Sequence, residues 1–235
     1  VNDDLLAQVR EMRERGNAPK QIAKALGLRP AEVTPLIRQA AALAQSKADP
    51  ADRALLGCWI NQGWSTGLGL DDAPEWAAAD PLTDPEPGTG GLAAILMARQ
   101  ERGSRATVCG FLLDVYCLGV KNAIGPVSMP SSAVDDFRRK FFSGHSEPPV
   151  TIPIDLAQNL VHGAAAYARD LGFEPHPDFT DTAPHLGTPA TLTPIRFGRD
   201  GKPFYVSGPY DNPQSVVRTL EATAGPGNYD YIAHV

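Results

Sequence analysis

Apolar positions recur along this chain with two different periods. Between residues 3 and 15, Leu5, Leu6, Val9 and Met12 form one stripe at helical spacing, with Arg10, Arg13 and Arg15 mostly off it, until Gly16-Asn17 stops the pattern. Pro19 suits the first turn of a second helix, PKQIAKAL, which Gly27 ends, and a third, PAEVTPLIRQAAALAQ, follows from Pro30. Ile22, Leu26, Val33 and Ile37 fill a shared core, and Ala23 is small where two helices cross. Beyond residue 91 the longest apolar run, 106–120, reads as a central strand buried on both faces and paired as a hairpin with 92–100. Gly110 is its natural bulge site, and strict alternation beyond it puts Asp114 and Tyr116 on one face, Cys117 and Lys121 on the other.

The pattern continues with a helix over 131–142, capped by Ser131 or Ser132, and a longer one over 153–171. The latter buries Ala157, Leu160, Val161, Ala164, Ala168 and Leu171 and turns Gln158, His162 and Arg169 the other way. An irregular loop over 173–187 leads to a hairpin, 193–208, built on an Asp200-Gly201 turn. A short helix with Pro213 in its first turn, capped by Asp211 or Asn212, and a last strand, 228–235, close the chain. The body order β-β-α-α-β-β-α-β implies an α+β fold: a small all-α helix-turn-helix head (1–45), a polar linker (46–54), and a mostly antiparallel sheet with packed helices (55–235). An acidic, Pro/Gly-rich insertion at 71–91 has the composition of an extended or mobile loop.

Charge sharpens this division. The chain is net −6, yet residues 1–48 hold eight Lys/Arg against five Asp/Glu, net +3, while the rest is net −9. A basic head on an acidic body fits a small nucleic-acid module attached to a non-binding partner domain. The spacing Ile22-Ala23, Leu26-Gly27-Leu28, Val33, Leu36-Ile37 resembles the helix-turn-helix family of resolvase-like and sigma-factor-like DNA-binding domains, over about the first 45 residues. That resemblance implies a third helix whose exposed face meets DNA, through Arg29, Thr34 and Arg38 here. On the same face Glu32 repels phosphate and Pro35 removes a helical hydrogen bond. A three-helix unit that docks on protein uses the same core, so DNA and a DNA-bound protein are both expected partners. In the body, FLLDVYCLGVKNA, LAQNLVHGAAAYARDLGFEPHPDF and FGRDGKPFYVSGPYD resemble a group of uncharacterised bacterial proteins, which implies one intact domain and no particular activity.

Candidate chemistry gathers around Asp114, a lone carboxylate in an apolar run that needs a cation, a metal or backbone N–H groups beside it. One reading makes it the centre of a metal-assisted hydrolase or nuclease, with His162, His176 and Asp178 as catalytic partners and Asp114, His176 and Asp178 as ligands of a divalent metal. The plainer readings are an ion pair that holds the sheet, or a strand end in water. Cys117 paired with His162 is a nucleophile candidate, against which stands its apolar setting; Ser207-Gly208 ahead of the last helix is a weak anion site. Cys58, Cys109 and Cys117 are odd in number and unclustered, which reads as reduced thiols in a cytoplasm. The charged N-terminus has no signal-peptide pattern, Val1 hints at an alternative bacterial start codon, and no apolar run is long enough for a membrane partner. Self-association into a homo-oligomer is left open by the sequence, as is a role as a pure interaction module.

Overall fold

The computed structural model describes residues 2–47, 49–70, 80, 90–190, 193 and 195–233. The chain divides into two compact units, Val1–Asp52 and Arg53–Val235. Apart from residues 80, 90 and 91, the insertion expected at 71–91 lies outside the described residues.

The first unit is three helices: α1 (Asn2–Glu14), α2 (Pro19–Leu26) and α3 (Pro30–Lys47). Leu6, Val9, Ile22, Ala23 and Val33 are buried together, as the helical stripes predict, and Ala40 joins them, while Met12, Leu26 and Ile37 are only partly buried against this core. The second and third helices start alike. Pro occupies the first position of each, and a side chain two residues on reaches back to cap the entering backbone: Gln21 Oε1 accepts the Ala18 N–H at 2.7 Å, and Glu32 Oε2 accepts the Arg29 N–H at 2.9 Å. Gly27 takes φ 65° at the end of α2, and the Leu28 N–H closes that helix on the Ala23 carbonyl. Helix α3 runs on through Pro35, and the Thr34 hydroxyl donates to the Pro30 carbonyl at 2.8 Å.

The second unit is α+β. Its strands are β1 (Leu55–Ile60), β2 (Leu92–Gln100), β3 (Arg105–Asp114), β4 (Gly119–Pro130), β5 (Val150–Thr151), β6 (Phe204–Val206) and β7 (Asp230–Ile232); its helices are α4 (Val134–Phe141), α5 (Ile154–Asp170), α6 (Phe179–Leu186) and α7 (Pro213–Thr223). Five strands form one antiparallel sheet in the order β4-β3-β2-β1-β5. The middle of β2 and β3 is apolar on both sides because both sides are covered. Ile95, Met97, Cys109, Phe111 and Leu113 pack with Leu156, Leu160, Val161 and Ala164 of α5, while Leu96, Ala98, Ala106 and Val108 pack with Val134 and Phe142 at the two ends of α4. Register shifts at Cys109, beside the expected bulge at Gly110.

Several expectations are corrected. The run 106–120 is not one strand, nor the central one: β3 ends at Asp114, the chain turns through 115–118, and β4 returns along it as an edge. The alternation expected for Tyr116, Cys117 and Lys121 therefore does not apply. Gly119 takes φ 66° at the end of this turn, and a Cβ there would stand 2.7 Å from the Ala164 carbonyl of α5, so only glycine fits both the turn and the approach. The helix expected over 131–142 begins as a 3-10 turn, and neither serine caps α4. The loop expected over 173–187 contains α6. The Asp200-Gly201 turn forms, with both residues at positive φ and Arg199 N–H bonded to the Lys202 carbonyl. Its arms do not make a hairpin, because Arg196 bridges to Gly69 and β6 pairs in parallel with β7.

Candidate functional site

Asp114 is 6% exposed, and its company is its own turn. Oδ1 accepts the N–H groups of Tyr116 and Cys117, each at 3.0 Å. A short polar side chain at a strand end that bonds the backbone two and three residues on is what reverses a chain. Burial pushes the Asp114 carboxyl up to about 6, against the pull of the Tyr116 N–H, the Lys121 ammonium and the Leu118 and Cys117 N–H groups.

The turn so held is a junction for the rest of the body. The Val115 N–H donates to the Gly91 carbonyl, the Val115 carbonyl accepts from Gly198, and the Tyr116 carbonyl accepts from Phe204. The Tyr116 hydroxyl donates to the Thr66 carbonyl at 2.7 Å. Just past the turn, Lys121 Nζ meets Asp211 Oδ2 at 2.9 Å in a half-buried pair, and the same carboxylate accepts the Gly208 N–H at 2.8 Å. Burial pushes the Asp211 carboxyl up, but the Gly208 N–H, Lys121 and the Tyr205 hydroxyl outweigh it and hold the group below the ordinary range. The weak anion site read at Ser207-Gly208 is thus filled by the chain's own carboxylate. Asn212, not Asp211, caps α7 through the Ser215 N–H.

The remaining candidates sit apart. His162 Nε2 lies 2.7 Å from the Gly187 carbonyl, just beyond the end of α6. Gln158 donates to the Leu186 carbonyl there, and the buried Arg99 donates to the carbonyls of His185, Leu186 and Arg53. So the face of α5 that reads as solvent-facing is covered at Gln158 and His162 by α6, and these polar residues close the last turn of that helix. His176 and Asp178 are neighbours, with Nδ1 and Oδ2 3.8 Å apart, on the approach to α6, where the His176 N–H bonds the Val120 carbonyl. Among the described residues no three His, Cys, Asp or Glu side chains gather to hold a metal ion, so Asp114, His176 and Asp178 are not brought together. Cys117 is fully buried against Leu171, Tyr205 and Leu220, and burial pushes its thiol far up, while His162 is engaged at α6. Among the described helices none is long and apolar enough to cross a membrane.

In the first unit Arg29 is bonded to Glu32 at 2.6 Å and Thr34 to its own helix, while Arg38, Lys20 and Lys24 are exposed. Taken to its structural boundary at Asp52, this unit holds eight Lys/Arg against seven Asp/Glu, a smaller excess than the first 48 residues alone suggest. The pairs that reading the sequence missed, Arg99 with α6 and Lys121 with Asp211, join residues 86 and 90 positions apart, and no local spacing signals them. Comparison with protein-family models, with curated proteins and with solved structures finds no match to this chain.

Proposed function

We propose that the three-helix head is a helix-turn-helix module that contacts DNA or a DNA-bound protein, and that the α+β body is its sensing or docking part. The observation that carries the reading is the joint between α2 and α3. The left-handed Gly27 ends α2, two residues lead into α3, and Ile22, Ala23 and Val33 lie buried where the helices meet. This leaves the outer side of α3 exposed at Thr34 and Arg38. Because Arg29 and Thr34 are engaged locally, Arg38 with Lys20 and Lys24 of α2 supplies the positive charge. Such a set favours phosphate contact over base reading. The Asp114 centre lends no comparable support to a hydrolase, since its carboxylate is spent on its own turn.

The test is a fluorescence-polarisation titration of the full chain on duplex DNA at low salt. Binding is expected to be indifferent to sequence and to weaken with salt along a log–log slope of about −2 to −3, as for two or three neutralised phosphates. Arg38→Glu is expected to weaken it several-fold. No binding at low salt, or binding that Arg38→Glu leaves unchanged, would reject DNA contact by this face.

A further inference from the structure

The smaller sheet of the body is unfinished on one side. Among the described residues it consists of β6 and β7, three residues each, joined through α7. Beside β7 lies an open groove of about 730 Å³. One wall is a single side of α7, with Gln214, Val217, Arg218 and Glu221; the other is Tyr231 and Ala233. Tyr231 is 51% and Ile232 47% exposed, among the largest apolar exposures in the described chain.

The backbone of β7 states what the groove lacks. The Asp230 N–H donates to the Pro203 carbonyl, and the Ile232 carbonyl accepts from Ser207, so residues 230 and 232 bond toward β6. Alternation along the strand then aims the N–H and C=O of Tyr231 outward, and among the described residues neither has a hydrogen-bond partner. An open strand edge without an intervening Pro or Lys is a template for another strand. Asp230, the charged residue of β7, is held by Lys202 at 2.9 Å.

We propose that this edge is the contact for a second copy of the chain, β7 pairing antiparallel with its counterpart about a two-fold axis at Tyr231. In an antiparallel pair a residue that bonds outward can face its own copy and exchange both N–H···O bonds with it, which a two-fold axis requires. The two small sheets become one four-stranded sheet with both α7 helices on the same face, running antiparallel. The charges on the groove wall match this occupant. Arg218 and Glu221 lie three residues apart on one side of α7, so two antiparallel copies can set each arginine against the other's glutamate. The remaining lining charge, Asp211, is already paired with Lys121. The inference is independent of whether the head binds DNA.

Sedimentation velocity of the full chain across a wide concentration range tests it, with circular dichroism as the check on folding. A concentration-dependent dimer is expected. Tyr231→Pro removes an N–H that has no acceptor among the described residues, so it is expected to keep the fold and abolish the dimer. Arg218→Glu and Glu221→Arg, both at exposed positions, are each expected to weaken self-association about tenfold or more, and the double charge swap to recover most of it. A chain that stays monomeric throughout would overturn the proposal. So would a dimer indifferent to Tyr231→Pro, or single charge reversals that the double swap does not rescue.

Discussion

Asp114 shows how far one side chain can be read before the fold is known. A carboxylate in so apolar a run has to find donors, and backbone N–H groups were among the candidates. That those donors belong to the next three residues is a fact of local geometry, because an aspartate at a strand end can bend the chain onto itself. Its ionisation has a consequence for stability. The folded carboxyl sits near 6, above its unfolded value of 3.8, so the native state holds this proton more tightly. The stabilisation is complete below the unfolded value and is lost as pH rises through the folded one. A shift of that size corresponds to about 3 kcal/mol. Asp114→Asn keeps an acceptor oxygen for Tyr116 and Cys117 and removes the ionisation. Urea denaturation at a series of pH values is expected to show wild type losing about 3 kcal/mol relative to this variant between about pH 4 and pH 7. Asp114→Ala, which strands the turn's N–H groups and also does not ionise, is expected to lie about 2 kcal/mol below Asp114→Asn at every pH. A flat difference between wild type and Asp114→Asn would mean that the group does not titrate in this window.

Helix α6 went unread in the sequence for a physical reason. Eight residues with an internal Pro184 and a sequence of FTDTAPHL have little intrinsic helical preference. What holds the segment is tertiary: Phe179, Thr182 and Leu186 are buried, and Arg99, Gln158 and His162 donate to carbonyls at and just beyond its last turn. The three donors come from β2 and α5, so the element forms only when the sheet and α5 are assembled. Helix α5 is the contrary case. Its stripe of Ala157, Leu160, Val161, Ala164 and Ala168 is plain in the sequence and is buried as expected. Arg99→Met is therefore expected to lower stability by about 2–4 kcal/mol, from carbonyls left without donors, with the loss read in urea denaturation. Arg99→Lys is expected to restore only part of it, since one ammonium cannot follow three diverging carbonyls. Full recovery in the lysine variant would show that charge alone, and not the fork of donors, holds the helix end.

The chain as a whole comprises two units, each with its own core. Its three cysteines are all buried within the second; burial pushes Cys58 and Cys109 up to about 12 and Cys117 higher still. No thiol is expected to react with a water-soluble disulfide reagent in the native protein, and three in denaturant. Fast native reaction of one thiol would show that the second unit opens locally. By itself the sequence determined the α+β class, the three helices of the head with the prolines and glycines that start and end them, and a cap for α7 at Asp211 or Asn212, because period, proline, glycine and capping side chains act within a few residues. It also identified the run around residue 110 as buried. Only the tertiary structure decided that this run is two strands and a turn. Hydrophobicity records that Tyr116 and Cys117 leave water; it does not record whether the backbone carrying them is straight or reversed. The same holds for the pairing of Lys121 with Asp211, the donors at α6 and the open edge at Tyr231, since contacts across the fold leave no spacing in the chain from which to read them.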